Sequence, residues 1–446
     1  MANASDADPP GPRIYNLFPT LLGPVPRWRR RLPSIADMGF DWIFLNPVHL
    51  PGSSGSLYAI SDTHKLHPAL LGDTPSKQGD GLLRDFCAAA RDAGVHVMID
   101  LVINHSARDG ALVQRHPEWF AKDDQGEIVS PSVADLDNPE HVTVWEDLAE
   151  LDYSERPELD ALLAHWQDLI RRYLKLGFTG FRCDAAYKLP GPVWRRLIDG
   201  ARDKNPEACF FAETLGAPTH EIEQLRDAGF DYRFNSAKWW DFREDWLLDE
   251  YARFRDLAPS VAFPESHDTP RVAAETDASE RESRFRYLFA AVFSTGVMMP
   301  IGYEFGFQRP LHVVDTTADD WEAGCADAPF DISDAVGRIN AMKAENPVLN
   351  EEGPQERVTD RDAPLVGLLR RSVSGPQRSL ALINPGADEG SHDAGLLSGA
   401  LEAAPEAIRE ITPRAGPDDA PRAEDDWSGD GEIRVEPRSL RIFVAD

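Results

Sequence analysis

From Arg13 to about residue 346 the chain alternates two textures. Short runs rich in β-branched, aromatic and other apolar residues recur: "RIYNLFP" (13–19), "DWIFLNPV" (41–48), "VHVMIDLVIN" (95–104), "GFRCD" (180–184), "ACFFAET" (208–214), "DYRFNS" (231–236), "SVAFPESHD" (260–268) and "GVMMPIGYE" (296–304). Between them stand segments with apolar residues at helical spacing, such as "GLLRDFCAAARDAG" and "PELDALLAHWQDLIRRYLKLG", the second ending at a glycine. Strand-length runs alternating with helices predict parallel βα units, and eight of them over about 300 residues predict a closed (β/α)8 TIM barrel.

Two regions break this rhythm. Residues 105–158, after the third strand, are too many for an ordinary loop and are read as a small inserted subdomain B over the barrel mouth. That assigns 13–104 and 159–346 to the barrel. Beyond 346 the chain turns to β-type segments, "PLVGLLRR", "RSLALINP" and "SLRIFVAD", separated by Gly, Pro and Asp, which predict a C-terminal antiparallel β-sandwich domain over 347–446. Within it "PRAGPDDAPRAEDDWSGDGE" reads as a solvated loop, and the polar, proline-rich residues 1–12 as a disordered tail.

Composition narrows the function. At 42% hydrophobic residues the chain has the material for a sizeable core. A formal charge of −30 argues against nucleic acid and anionic membrane as partners, because phosphate binding needs a basic face. Most of the acid is read as solvated surface, as in salt-adapted proteins. Cys87, Cys183, Cys209 and Cys325 sit at unrelated spacings and predict reduced, mostly buried thiols. With no signal-peptide pattern and no apolar run of membrane length, the expected location is the cytoplasm.

The chemistry collects at strand ends. The third run ends in Asp100, Asn104 and His105, the fourth in Arg182 and Asp184, the fifth in Glu213 and the seventh in His267 and Asp268. In a barrel all of these face one rim. Carboxylates converging there repel one another unless cations and hydrogen-bond donors stand between them, and Arg182, His105 and His267 are of the right types. Glycoside chemistry uses carboxylates of distinct protonation, one attacking the anomeric carbon and one donating a proton to the leaving oxygen.

"DLVINH", "GFRCD", "FFAET" and "FPESHD" resemble, in order, the four signature regions of the α-amylase superfamily, glycoside hydrolase family 13. The resemblance implies Asp184 as nucleophile, Glu213 as general acid/base and Asp268 as the carboxylate that stabilises the transition state through sugar hydroxyls. It implies that Arg182 orients Asp184 and keeps it ionised, that Asp100 holds Arg182, that His105 and His267 donate to the sugar at the cleavage point, and that Tyr58 stacks on the same ring. Lys188 is a candidate contact to the leaving-group sugar, and Trp239, Trp240 and Trp246 are candidates for lining sugar subsites.

Departures from the family pattern carry further expectations. Many α-amylases have Lys-His three and four positions after the nucleophile, the histidine serving a calcium site, where this chain has Tyr187-Lys188. No cofactor is therefore expected, and calcium is left open on Asn104 alone. Ala59 follows Tyr58 where many exo-acting relatives carry an aspartate, which suits a glucan continuing past the cleavage point. "RIYNLFP", "RHPEWFAKDDQGEI" and "RINAMKAENPVL" look most like the maltose-1-phosphate maltosyltransferases of the superfamily. Those enzymes have Asn after the nucleophile, where this chain has Ala185, carry a large N-terminal region, and lack the His267-Asp268 pair. The leading expectation is a retaining hydrolase or transglycosylase of α-1,4-glucans or maltooligosaccharides. A maltosyltransferase using maltose 1-phosphate and a non-catalytic interaction subunit of the same fold are the alternatives.

Overall fold

The computed structural model describes residues 11–134, 142–413 and 431–446. Eight parallel strands close into a barrel: Arg13–Leu17, Trp42–Leu45, His96–Leu101, Gly180–Cys183, Cys209–Glu213, Tyr232–Phe234, Ser260–Ala262 and Gly296–Pro300, with the eighth pairing back onto the first. Each lies inside one of the eight apolar runs. Period-two alternation gives every strand an inner and an outer face. Ile14, Phe44, Met98, Phe211, Phe234, Val261 and Met298 point inward and fill the lumen as a cluster of their own. Their neighbours, among them Tyr15, Ile43, Val97, Phe181 and Phe210, point outward into the larger core under the helices.

The helices follow the same pattern. In Leu159–Leu176 the buried residues Leu162, Leu163, Trp166, Leu169, Ile170, Tyr173 and Leu176 make one apolar stripe. Gly177 ends the helix at φ 102, a left-handed conformation that costs a residue with Cβ dearly. The chain then turns straight into the fourth strand, so this helix sets where Arg182 and Asp184 lie.

Residues of the insertion form small antiparallel pairings, His105–Ala107 with Leu148–Glu150 and Ser132–Ala134 with Val142–Val144. At the other end of the chain, five antiparallel strands run in the order Gln355–Arg357, Val366–Arg371, Arg378–Asn384, Ser439–Ala445, Arg409–Glu410. A separate two-stranded pair, Gly390–Asp393 with Glu432–Val435, and the helix Gly395–Leu401 share a small core with this sheet. The expected tail over 1–12 falls almost wholly outside the described residues, as does most of the expected solvated loop. No helix among the described residues is long and apolar enough to cross a membrane. The four cysteines are free; Cys87 and Cys183 are buried, Cys209 is partly covered and Cys325 is exposed.

The C-terminal sheet is fastened to the barrel by polar groups at one helix end. The last carbonyls of Glu280–Phe293 have no partners within the helix. Lys343 Nζ, fully buried, donates to the carbonyls of Ala291 (2.9 Å), Ser294 (2.8 Å) and Leu349 (2.6 Å). Arg370 and Gln355, on the sheet, donate to Val292 and Phe293. Burial pushes the Lys343 amine well below its usual range, with Arg370 adding to the effect. Three carbonyls nevertheless call for three N–H donors, which only the ammonium supplies. Lys343→Met is therefore expected to leave buried acceptors unpaired and to destabilise the protein by about 3 kcal/mol, read as a lowered denaturation midpoint. An unchanged midpoint would show that the three bonds contribute nothing net.

Candidate active site

The strand register builds the centre of the site. Arg182, on the fourth strand, has Asp100 of the third strand as its cross-strand partner, both inside the barrel. Its Nη1 reaches both oxygens of Asp100 (2.9 and 2.8 Å) and Oδ1 of Asp184 (2.9 Å), two residues on along the same face. Nη2 lies 3.9 Å from Oε2 of Glu213, on the fifth strand. One buried guanidinium thus stands against three carboxylates, which is what makes their convergence tolerable. Burial pushes the Asp100 carboxyl up, and Arg182 pulls it back.

Glu213 is held in tension. Burial raises its carboxyl to about 7 and Asp184 adds to the rise, while Arg182 and the backbone N–H groups of Leu215 (2.7 Å) and Ala185 (2.8 Å) oppose it. The Ala185 N–H reaches Glu213 because Ala185 adopts φ 41, a left-handed conformation rare for alanine, directly after Asp184. Asparagine tolerates that conformation better than alanine does.

A second network hangs on the Tyr58 hydroxyl. It donates to Asp100 Oδ2 (2.6 Å) and lies 2.7 Å from His267 Nε2 and 3.0 Å from Asn46 Nδ2. With its one proton on Asp100, the hydroxyl accepts from both nitrogens, which places the His267 proton on Nε2. The Tyr58 and His267 rings lie parallel, 5.5 Å apart. His267 Nε2 is also 3.0 Å from Asp268 Oδ2, and burial holds the imidazole below its usual range. The turn carrying both residues is tied from beneath: Glu265 accepts from Arg271 (2.7 Å) and from the Val272 N–H (2.6 Å), and Thr269 Oγ1 accepts from Ser266 N–H (2.9 Å).

The remaining expected residues fall around these. His105 donates from Nε2 to the Tyr58 carbonyl (3.1 Å), which leaves Nδ1 as the ring atom for a ligand. Asn104 donates to the Asp184 carbonyl (3.0 Å), and its Oδ1 is buried without a partner. Among the described residues no group of three or more His, Cys, Asp or Glu side chains is arranged to hold a metal ion. Lys188 is exposed, with Nζ 5.3 Å over the Tyr187 ring.

Tyr58, Asn104, His105, Asp184, Lys188, Glu213, His267 and Asp268 all line one cleft of about 370 Å3, with Arg182 and Asp100 beneath its floor. The three tryptophans after the sixth strand do not line it. Trp240 is core, 1% exposed, while Trp239 and Trp246 are exposed elsewhere. Sequence reasoning missed Asn46 and Asn16, which stand in line behind Tyr58 (Asn16 Nδ2 to Asn46 Oδ1, 2.8 Å). It also missed Asp147, Glu150 and Trp145, which the insertion adds to the cleft wall.

Comparison with known proteins finds relatives in sequence and in fold. The sequence model of a family described as the glucanotransferase domain of glycogen debranching enzyme matches residues 12–123. An α-1,4-glucan:maltose-1-phosphate maltosyltransferase from Burkholderia pseudomallei is 27% identical over 383 residues, covering 84% of this chain and 33% of that protein. The enzyme of the same name from Pseudomonas aeruginosa is 27% identical over 367 residues, 76% of this chain and 53% of its own length. The chain thus spans a third to about half of these relatives. Among solved structures, α-amylases from Geobacillus thermoleovorans (TM-score 0.74, 15% identity, 98% of each chain) and Lactobacillus plantarum (TM-score 0.70, 20% identity, 98% of this chain and 99% of that one) share the fold. With the strand-end residues assembled on one barrel rim, the chain shares the fold of the α-amylases and is similar in sequence to the maltosyltransferases.

Proposed function

We propose that the chain carries out retaining glycosyl transfer onto α-1,4-linked glucans. Asp184 attacks the anomeric carbon while Glu213 protonates the leaving oxygen, giving a covalent glycosyl-enzyme. Glu213, now ionised, takes the proton of an acceptor hydroxyl as that oxygen displaces Asp184 and restores the original configuration. The observation that carries this reading is the single Arg182 guanidinium in contact with both Asp184 and Glu213, with Glu213 raised to about 7, where a carboxyl can donate in one step and accept in the next.

The maltosyltransferase relatives support a maltosyl unit as the group moved and maltose 1-phosphate as its donor, in preference to plain hydrolysis. One observation favours a different donor. Asp147, Glu150, Asp184, Glu213 and Asp268 line the cleft, and Lys188 is the one lysine or arginine among the described lining residues. Such a wall repels a sugar phosphate and accepts an uncharged maltooligosaccharide.

Incubation with maltose 1-phosphate and maltopentaose, with inorganic phosphate and chain lengths followed over time, separates the readings. Phosphate release with chain lengthening is the expected result for the phosphate donor. Lengthening and shortening together without phosphate assigns the oligosaccharide donor. Shortening alone means hydrolysis and removes the transfer reading; no turnover removes catalysis altogether.

A further inference from the structure

We propose that Trp145, carried on the insertion, is an aromatic platform for a glucosyl ring of the bound glucan beyond those held at the carboxylates; this rests on the α-glucan reading above. Trp145 is a large apolar side chain left 42% exposed on the wall of the catalytic cleft. Exposure alone does not mark a site, for Trp239 is 52% exposed, packs edge-on against Phe263 and lies outside the cleft. What separates Trp145 is its company. Pro131, Val133, Leu148 and Leu151 continue the apolar wall, and Asp147 and Glu150 interrupt it with carboxylates. A pyranose ring presents an apolar face of C–H groups and a rim of hydroxyl donors, so an aromatic plane flanked by acceptors matches it on both counts.

The platform is also fixed relative to the reacting groups. The Trp145 N–H donates to the Pro131 carbonyl (3.1 Å), and its own carbonyl accepts from Leu148 N–H (3.1 Å). Leu148 begins the strand that pairs with His105–Ala107, with Glu150 opposite His105. Leu151 N–H donates to the Asn104 carbonyl (3.1 Å), and Tyr153 donates to the carbonyl of Ile103. The wall is therefore hydrogen-bonded to the segment that carries Asn104 and His105, and a ring resting on Trp145 is held in register with Asp184.

The test is binding in an Asp184→Asn background, where no turnover intervenes, by calorimetric titration with maltose and maltoheptaose. Trp145→Ala is expected to weaken maltoheptaose by about tenfold, with a much smaller effect on maltose, because only the longer chain extends over the wall. Trp145→Phe, which keeps a ring, should recover most of the affinity. Unchanged maltoheptaose affinity in Trp145→Ala would overturn the platform while leaving the glucan reading intact. So would equal losses for both sugars, or a Trp145→Phe loss as large as that of alanine, either of which would mark a support for the fold. Failure of the Asp184→Asn parent to bind maltoheptaose would overturn the glucan reading, and this subsite with it.

Discussion

Asp184→Asn is expected to leave a folded protein whose turnover is lowered by at least about four orders of magnitude, because on the proposed mechanism it removes the nucleophile of the first step and no neighbour replaces it. Folding survives for a reason visible in the network. Arg182 keeps both oxygens of Asp100, and an asparagine oxygen at 184 can still accept from Nη1. Asn104 keeps its bond to the backbone carbonyl of residue 184 (3.0 Å) and gives up only its longer bond to the side-chain Oδ2 (3.3 Å). The loss is thus of chemistry and not of architecture. Turnover of maltooligosaccharides, measured beside the thermal midpoint, checks it: near-normal turnover would remove Asp184 from the nucleophile's role, and a collapsed midpoint would mean that the carboxylate's main work is structural.

The same change at Asp100 should behave in the opposite way. Asp100 carries two bonds from Arg182 and one from Tyr58, and both partners are in or under the floor of the cleft. Its removal leaves a buried guanidinium short of its counter-charge, which typically costs about 3 to 5 kcal/mol. The contrast separates the two aspartates that the sequence places on adjacent strand ends.

The barrel and its rim were legible in sequence because both follow from short-range regularities. Each strand is a compact apolar run, and each polar side chain at its end breaks the run where the strand leaves the lumen. The same rule would have found Asn46 in "FLNPV" and Asn16 in "IYNLF", polar residues in apolar runs that the structure shows supporting Tyr58. The Tyr58 hydroxyl was not legible as a hub, because its partners Asn46, Asp100 and His267 come from three separate strand ends and meet only when the barrel closes. The three tryptophans after the sixth strand show the limit from the other side. Their spacing gives no clue that Trp240 turns into the core against Phe242 and Phe289 while Trp239 turns out. The insertion was least legible of all. Its strands are three residues long, its pairings join Leu148–Glu150 to His105–Ala107 across some forty intervening residues, and nothing in "VTVWEDL" distinguishes a tryptophan on a cleft wall from one in a core.

Glu213 is expected to set the alkaline side of the pH profile. Its carboxyl is raised to about 7, first by burial in the cleft floor and further by Asp184, against the pull of Arg182 and two backbone N–H groups. The first step needs the protonated acid, so kcat/KM for a maltooligosaccharide should fall as pH rises through about 7, in the direction of proton loss from the free enzyme. An α-maltosyl fluoride has a leaving group that departs without a proton, and formation of the glycosyl-enzyme from it should lose that alkaline limb. Glu213→Ala sharpens the test. Formation of the glycosyl-enzyme from maltopentaose should drop by about 10² to 10⁴, whereas with the fluoride it should stay close to that of the unaltered protein. The covalent adduct should then accumulate, because the variant also lacks the base that activates the acceptor in the second step; intact-protein mass spectrometry reads this as an added maltosyl mass on Asp184. Equal loss of the first step with both substrates would mean that Glu213 supports the shape of the site without donating a proton, and the acid would then have to be sought at Asp268, the cleft carboxylate bonded to His267.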